Sequence, residues 1–295
     1  MKGYFLAIGE LLADLATIDY CENLEGATTF NLVQGGSPAN VAANVKFLGG
    51  EAELVSSIGN DGIGRFLISA LQKTGIKVAH IQVNPGQPTS VILVTKSKGT
   101  PDFIPYRHAD ACIEGIENSL IENCSIIHTT AFALSKQPAQ SSILAAMEKA
   151  QSQNKTVSVD WNFAPPIWGV DDGKNVFNKV MQFAPLLKVS VDDVERFRGS
   201  SLTIEECKNF LQHFQTTATC LTCGKDGVWF KEMHTAWQFK EAIAVEKVVD
   251  VTGAGDAFWA GFIFSFMKDE RVANCVQKGL EVAAEKIRKS GPLYG

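Results

Sequence analysis

The chain has 295 residues, 45% of them hydrophobic, and a formal net charge of −5. That apolar share is enough for a sizeable buried core, whereas the acidic balance and the lack of long basic runs argue against a nucleic-acid or membrane-surface partner. No window reaches the ~18 apolar residues of a membrane span, residues 1–20 lack the features of a signal peptide, and seven cysteines scattered through apolar contexts suit a reducing cytoplasm better than a disulfide framework.

From the N-terminus, "YFLAIGE" reads as a buried strand ending in glycine. "SPANVAANVKFLGG" reads as a helix: Ser37 caps it, Pro38 takes the first helical position, Val41, Ala42, Val45 and Leu48 mark one face, and Gly49 ends it. Strand "ELVSSI", turn "GNDGIG" and helix "RFLISALQKTG" follow in βα order. From Cys124 the alternation repeats: "CSIIHTT", a helix at about 138–153, "TVSVDW", a helix near 173–183, "LLKVSV", and a helix near 203–213. "TCLTCG" and "GVWFKE" then pair around a Lys-Asp-Gly turn. Residues 242–249 suit another strand, and "AFWAGFIFSFMK" is a helix apolar nearly all round, hence buried.

Strands alternating with helices predict an α/β fold with a mainly parallel central sheet covered by helices on both faces, one domain spanning 1–295. Residues 15–34 and 88–107 lack helical periodicity and predict strands of a small β lid over one edge of that core. Cys220 and Cys223 in "CLTC" resemble half a zinc site, but no second pair follows, and a buried strand explains them. The five histidines have no metal-ligand spacing, and the aromatics of residues 258–266 read as core packing.

The stretch "DVTGAGDAF", residues 250–258, falls where a strand gives way to a helix. Carboxyl ends of strands in open α/β sheets are where ligands bind. Gly253 and Gly255 permit close backbone approaches, and a helix N-terminus leaves N–H groups pointing outward, which makes an anion site. A P-loop would need Gly-Lys-Ser/Thr, and the dinucleotide fingerprint needs glycine where Phe258 stands. An anion cradle with Asp256 beside it remains, suited to orienting or deprotonating a hydroxyl that attacks phosphorus. The plainer alternative is that Asp256 caps the helix.

The order "GELLAD", "GGSPANVAANVKFLGG", "GNDGIG" and "DVTGAGDAF" resembles the ribokinase-like, or PfkB, carbohydrate kinases over essentially the whole chain. The chain is most similar to the fructokinase and 2-keto-3-deoxygluconate kinase branches, through "GGSPANVA", "YRHADA" and "DWNFAPPIW". The resemblance implies phosphorylation of a sugar hydroxyl by ATP, with Mg²⁺ carried by the nucleotide. Asp256 matches the family's catalytic base, and Gly253, Ala254 and Gly255 its anion hole. Asp14, Gly35, Gly36 and Asn40 match residues that hold sugar hydroxyls, and Asn162, in "DWNFAPPIW", is implied as a further substrate contact. Arg107 resembles the position that contacts the carboxylate of an acidic sugar, with a solvated surface charge as the alternative. Ser190 and Asp193 stand where an Asn-x-x-Glu pair serves Mg²⁺ and phosphate. Thr222, Gly224 and Gly227 match a nucleotide-contacting strand and turn, otherwise an ordinary hairpin. Asp250 matches an acid that in many members lies beside a monovalent cation such as K⁺. The lid implies a homodimer, exposed strand edges giving the physical reason.

Three positions depart from the pattern: Ala164 replaces a common arginine, Ser190 is shorter than the usual asparagine, and Val251 replaces a common threonine. A fructokinase-like enzyme is the leading expectation. A sugar-acid kinase, a nucleoside kinase and a non-catalytic sugar- or nucleotide-binding relative stay open beside it.

Overall fold

The computed structural model describes residues 3–96, 102–169 and 173–294. The first third contains β1 (Tyr4–Ile8), β2 (Leu12–Tyr20), β3 (Phe30–Gly35), α1 (Ser37–Phe47), β4 (Ala52–Gly59), α2 (Gly62–Lys73), β5 (Ile81–Asn84), β6 (Val91–Lys96) and β7 (Phe103–Tyr106). The middle contains α3 (Asn118–Asn123), β8 (Cys124–Thr130), α4 (Ala139–Ser152), β9 (Thr156–Asp160), α5 (Pro165–Trp168), α6 (Lys174–Met181), β10 (Leu186–Ser190), α7 (Val191–Arg198) and α8 (Ile204–Leu211). The chain finishes with β11 (Ala218–Thr222), β12 (Gly227–Glu232), β13 (Gln238–Glu241), α9 (Ala254–Phe266) and α10 (Val272–Ile287).

Nine strands form the main sheet in the order β13-β12-β11-β10-β9-β8-β1-β4-β5. Pairing is parallel from β11 to β5 and antiparallel only at the β11–β12–β13 edge. Side chains alternate across a strand, so one run feeds two layers. Leu6 and Ile8 of β1 join Ile143, Met147 and Phe177 on one side, while Phe5 and Ala7 join Val41, Trp259 and Phe262 on the other. Both faces are therefore covered by helices, which is why the strands read as continuous apolar runs.

Four strands, β3-β2-β6-β7, form a second, smaller sheet. They arise from the two stretches that lack helical periodicity, with β2 beginning earlier, at Leu12. Part of the second stretch, residues 97–101, lies outside the described residues.

Two local expectations are corrected. Residues 242–249 are not a strand: β13 ends at Glu241, Val248 and Val249 are exposed, and the Val249 amide bonds to Ile287 of α10 instead of a sheet neighbour. β-branched residues alone do not make a strand without an edge to pair with. Ser37 is not the cap of α1. Gly36 holds that position with φ 101°, where a Cβ would run into the Glu10 carbonyl, and Ser37 becomes the first helical residue with its hydroxyl free for another partner.

Candidate active site

The strand register collects polar groups at one end of an apolar sheet. Thr130 of β8 lies opposite Asp160 of β9, Asp160 opposite Lys188 of β10, and Ser190 opposite Thr222 of β11. Lys188 Nζ donates to Asp160 Oδ2 at 2.7 Å, and both side chains are buried. Burial pushes the Asp160 carboxyl up to about 6, against the pull of the ammonium. Burial alone would also depress Lys188, but Asp160, Asp193 and Asp256 together hold it protonated. One fixed positive charge thus sits among three acids.

The glycine turn lies above this charge. Gly253 adopts the left-handed region at φ 74° and starts α9, which makes Asp256 a first-turn residue. The Ala254 amide donates to the Val251 carbonyl at 3.1 Å, so one of the three expected anion donors is already committed. The amides of Gly253, Gly255 and Asp256 have no acceptor among the described residues. Gly255 is bare where the lysine approaches, since a Cβ there would stand 3.3 Å from Lys188 Nζ. Unpaired amides at a helix N-terminus, backed by a buried ammonium, form a place for anionic oxygens.

Asp256 does not cap its own helix. Its Oδ1 accepts from Ser37 Oγ at 2.7 Å and its Oδ2 from Asn40 Nδ2 at 2.9 Å, both on α1. Burial raises its pKa, and the Ser37, Asn40 and Lys188 contacts partly offset this. A carboxylate shifted toward neutrality and held by two donors is suited to accept a proton.

On the other side of Asp256, the β2–β3 pair brings Asp14 beside Gly35, where a Cβ would overlap the Asp14 carboxylate. Burial, and then the charge of Asp256, push Asp14 up to about 7. Glu10 lies deeper: Oε1 accepts from the Ser37 amide at 3.3 Å and Oε2 from Thr130 Oγ1 at 2.8 Å, and burial lifts it to about 8. Gly36 provides the bend between these groups and α1.

Arg107 is buried rather than solvated. Its guanidinium pairs with Asp110, donates to the Phe132 carbonyl at 2.9 Å and to Ser135, and lies over the Phe132 ring. Asn162 Oδ1 accepts from the Phe132 amide at 3.2 Å, so it braces the same loop.

Toward the β10–β11 side of the sheet, Ser190 and Asp193 form a capping box at α7, with Asp193 Oδ1 also held by Arg196 at 2.8 Å. Thr222, Gly224 and Gly227 build the tight β11–β12 hairpin, and Gly227 has no room for a Cβ against Lys240 and Ala242. Asp250 Oδ1 accepts from the Thr252 amide at 2.9 Å. The buried Lys286 ammonium lies 3.2 Å from the Asp250 carbonyl and 3.4 Å from its Oδ2. Burial would raise Asp250, but these donors bring it below the ordinary carboxylate value.

Sequence reasoning did not single out Ser37 as a partner of Asp256, nor Glu10, Lys188, Lys286 or Tyr294. Lys188 carried a visible signal, a lone cation inside the buried run "LLKVSV". Lys286 and Tyr294 carried none, because their partners lie 36 or more residues away.

Comparison with known proteins follows the same lines. The description "pfkB family carbohydrate kinase" matches residues 2–294. The chain is 35% identical over 291 residues to an ATP-dependent 6-phosphofructokinase of Thermoanaerobacterium thermosaccharolyticum, covering 98% of this chain and 89% of that protein. It is 29% identical over 280 residues to fructokinase-2 of Solanum lycopersicum, covering 92% and 84%. The solved fructokinase of Halothermothrix orenii superposes with a TM-score of 0.83 at 29% identity, over 95% of this chain and 98% of that one.

Proposed function

The chain belongs to the pfkB family of carbohydrate kinases, and from that premise we propose that it transfers the terminal phosphoryl group of ATP to a hydroxyl of free fructose, with Asp256 as the base. That it is an ATP-dependent sugar kinase follows from the family match and its relatives. The observation carrying the assignment of roles is the seat of Asp256, between a turn of unpaired amides on one side and Asp14, Gly35 and Asn40 on the other.

In this reading the amides of Gly253, Gly255 and Asp256 take charge on the transferring group, with Lys188 behind them. Asp14 and Asn40 hold acceptor hydroxyls, and Asp256 orients the attacking one and takes its proton. Phosphoryl transfer runs through a loose transition state in most analyses, so positioning and neutralisation outweigh base strength. The hairpin at Thr222, Gly224 and Gly227 and the box at Ser190 and Asp193 lie on the nucleotide side. Mg²⁺ travels with ATP and is held largely through phosphate and water. Asp160 Oδ1, buried without a partner among the described residues, fits a water of that ion.

The acceptor end favours a neutral polyol over a phosphorylated or acidic sugar. Arg107 is neutralised by Asp110, while Glu10 and Asp14 add acid. Lys286 occupies the oxygens of Asp250 where a monovalent cation was expected, so its ammonium replaces K⁺. The small sheet serves as the lid of a single domain and as the contact with a second copy of the chain. Leu32, Ile104 and Tyr106 share one of its faces in register and are exposed, as are Ile18 and Tyr20 toward the end of β2, an apolar set that a second copy would cover. Seven unpaired cysteines support a cytoplasmic setting.

The test is ADP release with fructose, fructose 6-phosphate, 2-keto-3-deoxygluconate, ribose and nucleosides. Fructose is expected to give the highest kcat/KM. A higher value for either anionic sugar contradicts the acceptor assignment.

A further inference from the structure

The last described residue, Tyr294, reaches the acceptor side of the site from the far end of the chain. Its neighbour Leu293 is buried against Ala257 and Val282, with Leu48 packed on them, so the tail has a fixed seat. Gln34 Nε2 on β3 donates to Tyr294 Oη at 3.0 Å, and Tyr294 Oη lies 3.5 Å from Asn40 Oδ1 as donor. Asn40 Nδ2 in turn donates to Asp256 Oδ2 at 2.9 Å. Four residues from the small sheet, the tail, α1 and α9 therefore make one directed series, each donating to the next and ending on a carboxylate.

The direction of that series has physical content. An amide offers its N–H to Asp256 only while its carbonyl points away, and the phenol is the donor found on that carbonyl. Burial, and then the charge of Asp256, push the Tyr294 pKa upward, which keeps the phenol protonated as a donor. At the other end, Gln34 Oε1 is buried with no partner among the described residues. Ala13 lies opposite Gln34 in the sheet, so Gln34 shares the face of Ala13 and not that of Asp14, and its contact with the site runs through Tyr294.

We propose that Tyr294 is a positioning residue for the acceptor, itself held by Gln34 and locking Asn40 onto Asp256. The proposal rests on the sugar-kinase reading for the identity of the ligand as a polyol, and its geometry is independent of which sugar is preferred. It predicts an effect on the acceptor and on turnover but not on the nucleotide.

The experiment is steady-state kinetics of the full chain carrying Tyr294→Phe, which keeps the ring and its packing, alongside thermal unfolding. With the best acceptor of the panel, KM for the sugar is expected to rise ~tenfold and kcat to fall, the scale of one lost hydrogen bond to a buried partner. KM for ATP should stay within twofold. Gln34→Met should reproduce the sugar effect, and the double variant should be no worse than the weaker single one, because both break one series. Sugar KM unchanged within twofold, sugar and ATP KM rising together, or full additivity of the two variants would each overturn the proposal. Failure of the underlying reading is separately visible as no ADP release by the unaltered chain with any acceptor, and that result removes this proposal with it.

Discussion

The two sides of Asp256 are built from opposite materials. On the side of the glycine turn, which we assign to the phosphoryl group, stand bare amides and two buried ammonium groups, Lys188 and Lys286, each tied to an aspartate. On the other side, which we assign to the acceptor, stand buried acids and amides: Glu10 raised to about 8, Asp14 raised to about 7, and the Gln34–Tyr294–Asn40 series. Fixed positive charge suits a group whose negative charge must be neutralised in transit. Weakly acidic carboxyls suit hydroxyls, since they can accept or donate according to their protonation. One helix N-terminus divides the two environments, and substitutions on either side should have different signatures.

The largest effect is expected at the divide itself. Asp256→Asn should cost turnover at least ~100-fold, with ATP affinity kept, as measured by ADP release and nucleotide titration. Turnover surviving within a few-fold would place the base elsewhere.

On the phosphoryl side, Lys188→Met removes the charge behind the amides and strands Asp160 in the core. We expect kcat to fall on the order of tenfold to a hundredfold and stability to drop by about 3 kcal/mol. Adding Asp160→Asn should restore most of the melting temperature while leaving turnover low. Recovery of both together would make Lys188 a purely structural partner.

Lys286→Met gives a smaller and more specific signature. The unaltered enzyme should be indifferent to K⁺ against a large organic cation, whereas the variant should lose activity and regain part of it with K⁺. K⁺ activation of the unaltered chain would show that the ammonium does not replace the ion.

The smallest effect lies on the acceptor side and concerns stability. Burial raises the Glu10 carboxyl from 4.5 to about 8, so the folded state keeps a proton that the unfolded chain gives up. The contribution is complete below about pH 4.5 and is lost as pH rises toward 8. Glu10→Gln should flatten that decline, raising the melting temperature at pH 8.5 relative to the parent by several degrees and changing it little at pH 5. Parallel melting curves across that range would contradict the assigned environment.

Much of the architecture was legible because both faces of the sheet are buried and its strands are continuous apolar runs. "CSIIHTT", "TVSVDW" and "LLKVSV" correspond to β8, β9 and β10, and the stretches lacking helical periodicity became the small sheet. Helix α7 carries no sequence expectation, because an acidic first turn and a basic last turn leave few apolar positions to mark a helical face. Residues 242–249 misled because β-branched composition reports a propensity and not the presence of a partner strand. In the site, glycines and acids at the turn were readable from spacing. Ser37 was placed one position out, as a cap, because only the backbone reveals that Gly36 takes that role. Lys286 and Tyr294 act through contacts made by the folded chain, which no local pattern encodes.

The central claim is that one turn faces phosphate while its aspartate faces the acceptor. A crystal structure with a non-hydrolysable ATP analogue and fructose tests it most directly. The account predicts terminal phosphate oxygens on the amides of Gly255 and Asp256, and the Asp256 carboxylate within hydrogen-bond reach, ~2.6–3.2 Å, of one fructose hydroxyl. A terminal phosphate bound away from those amides, or a sugar seated out of reach of Asp256, would contradict it.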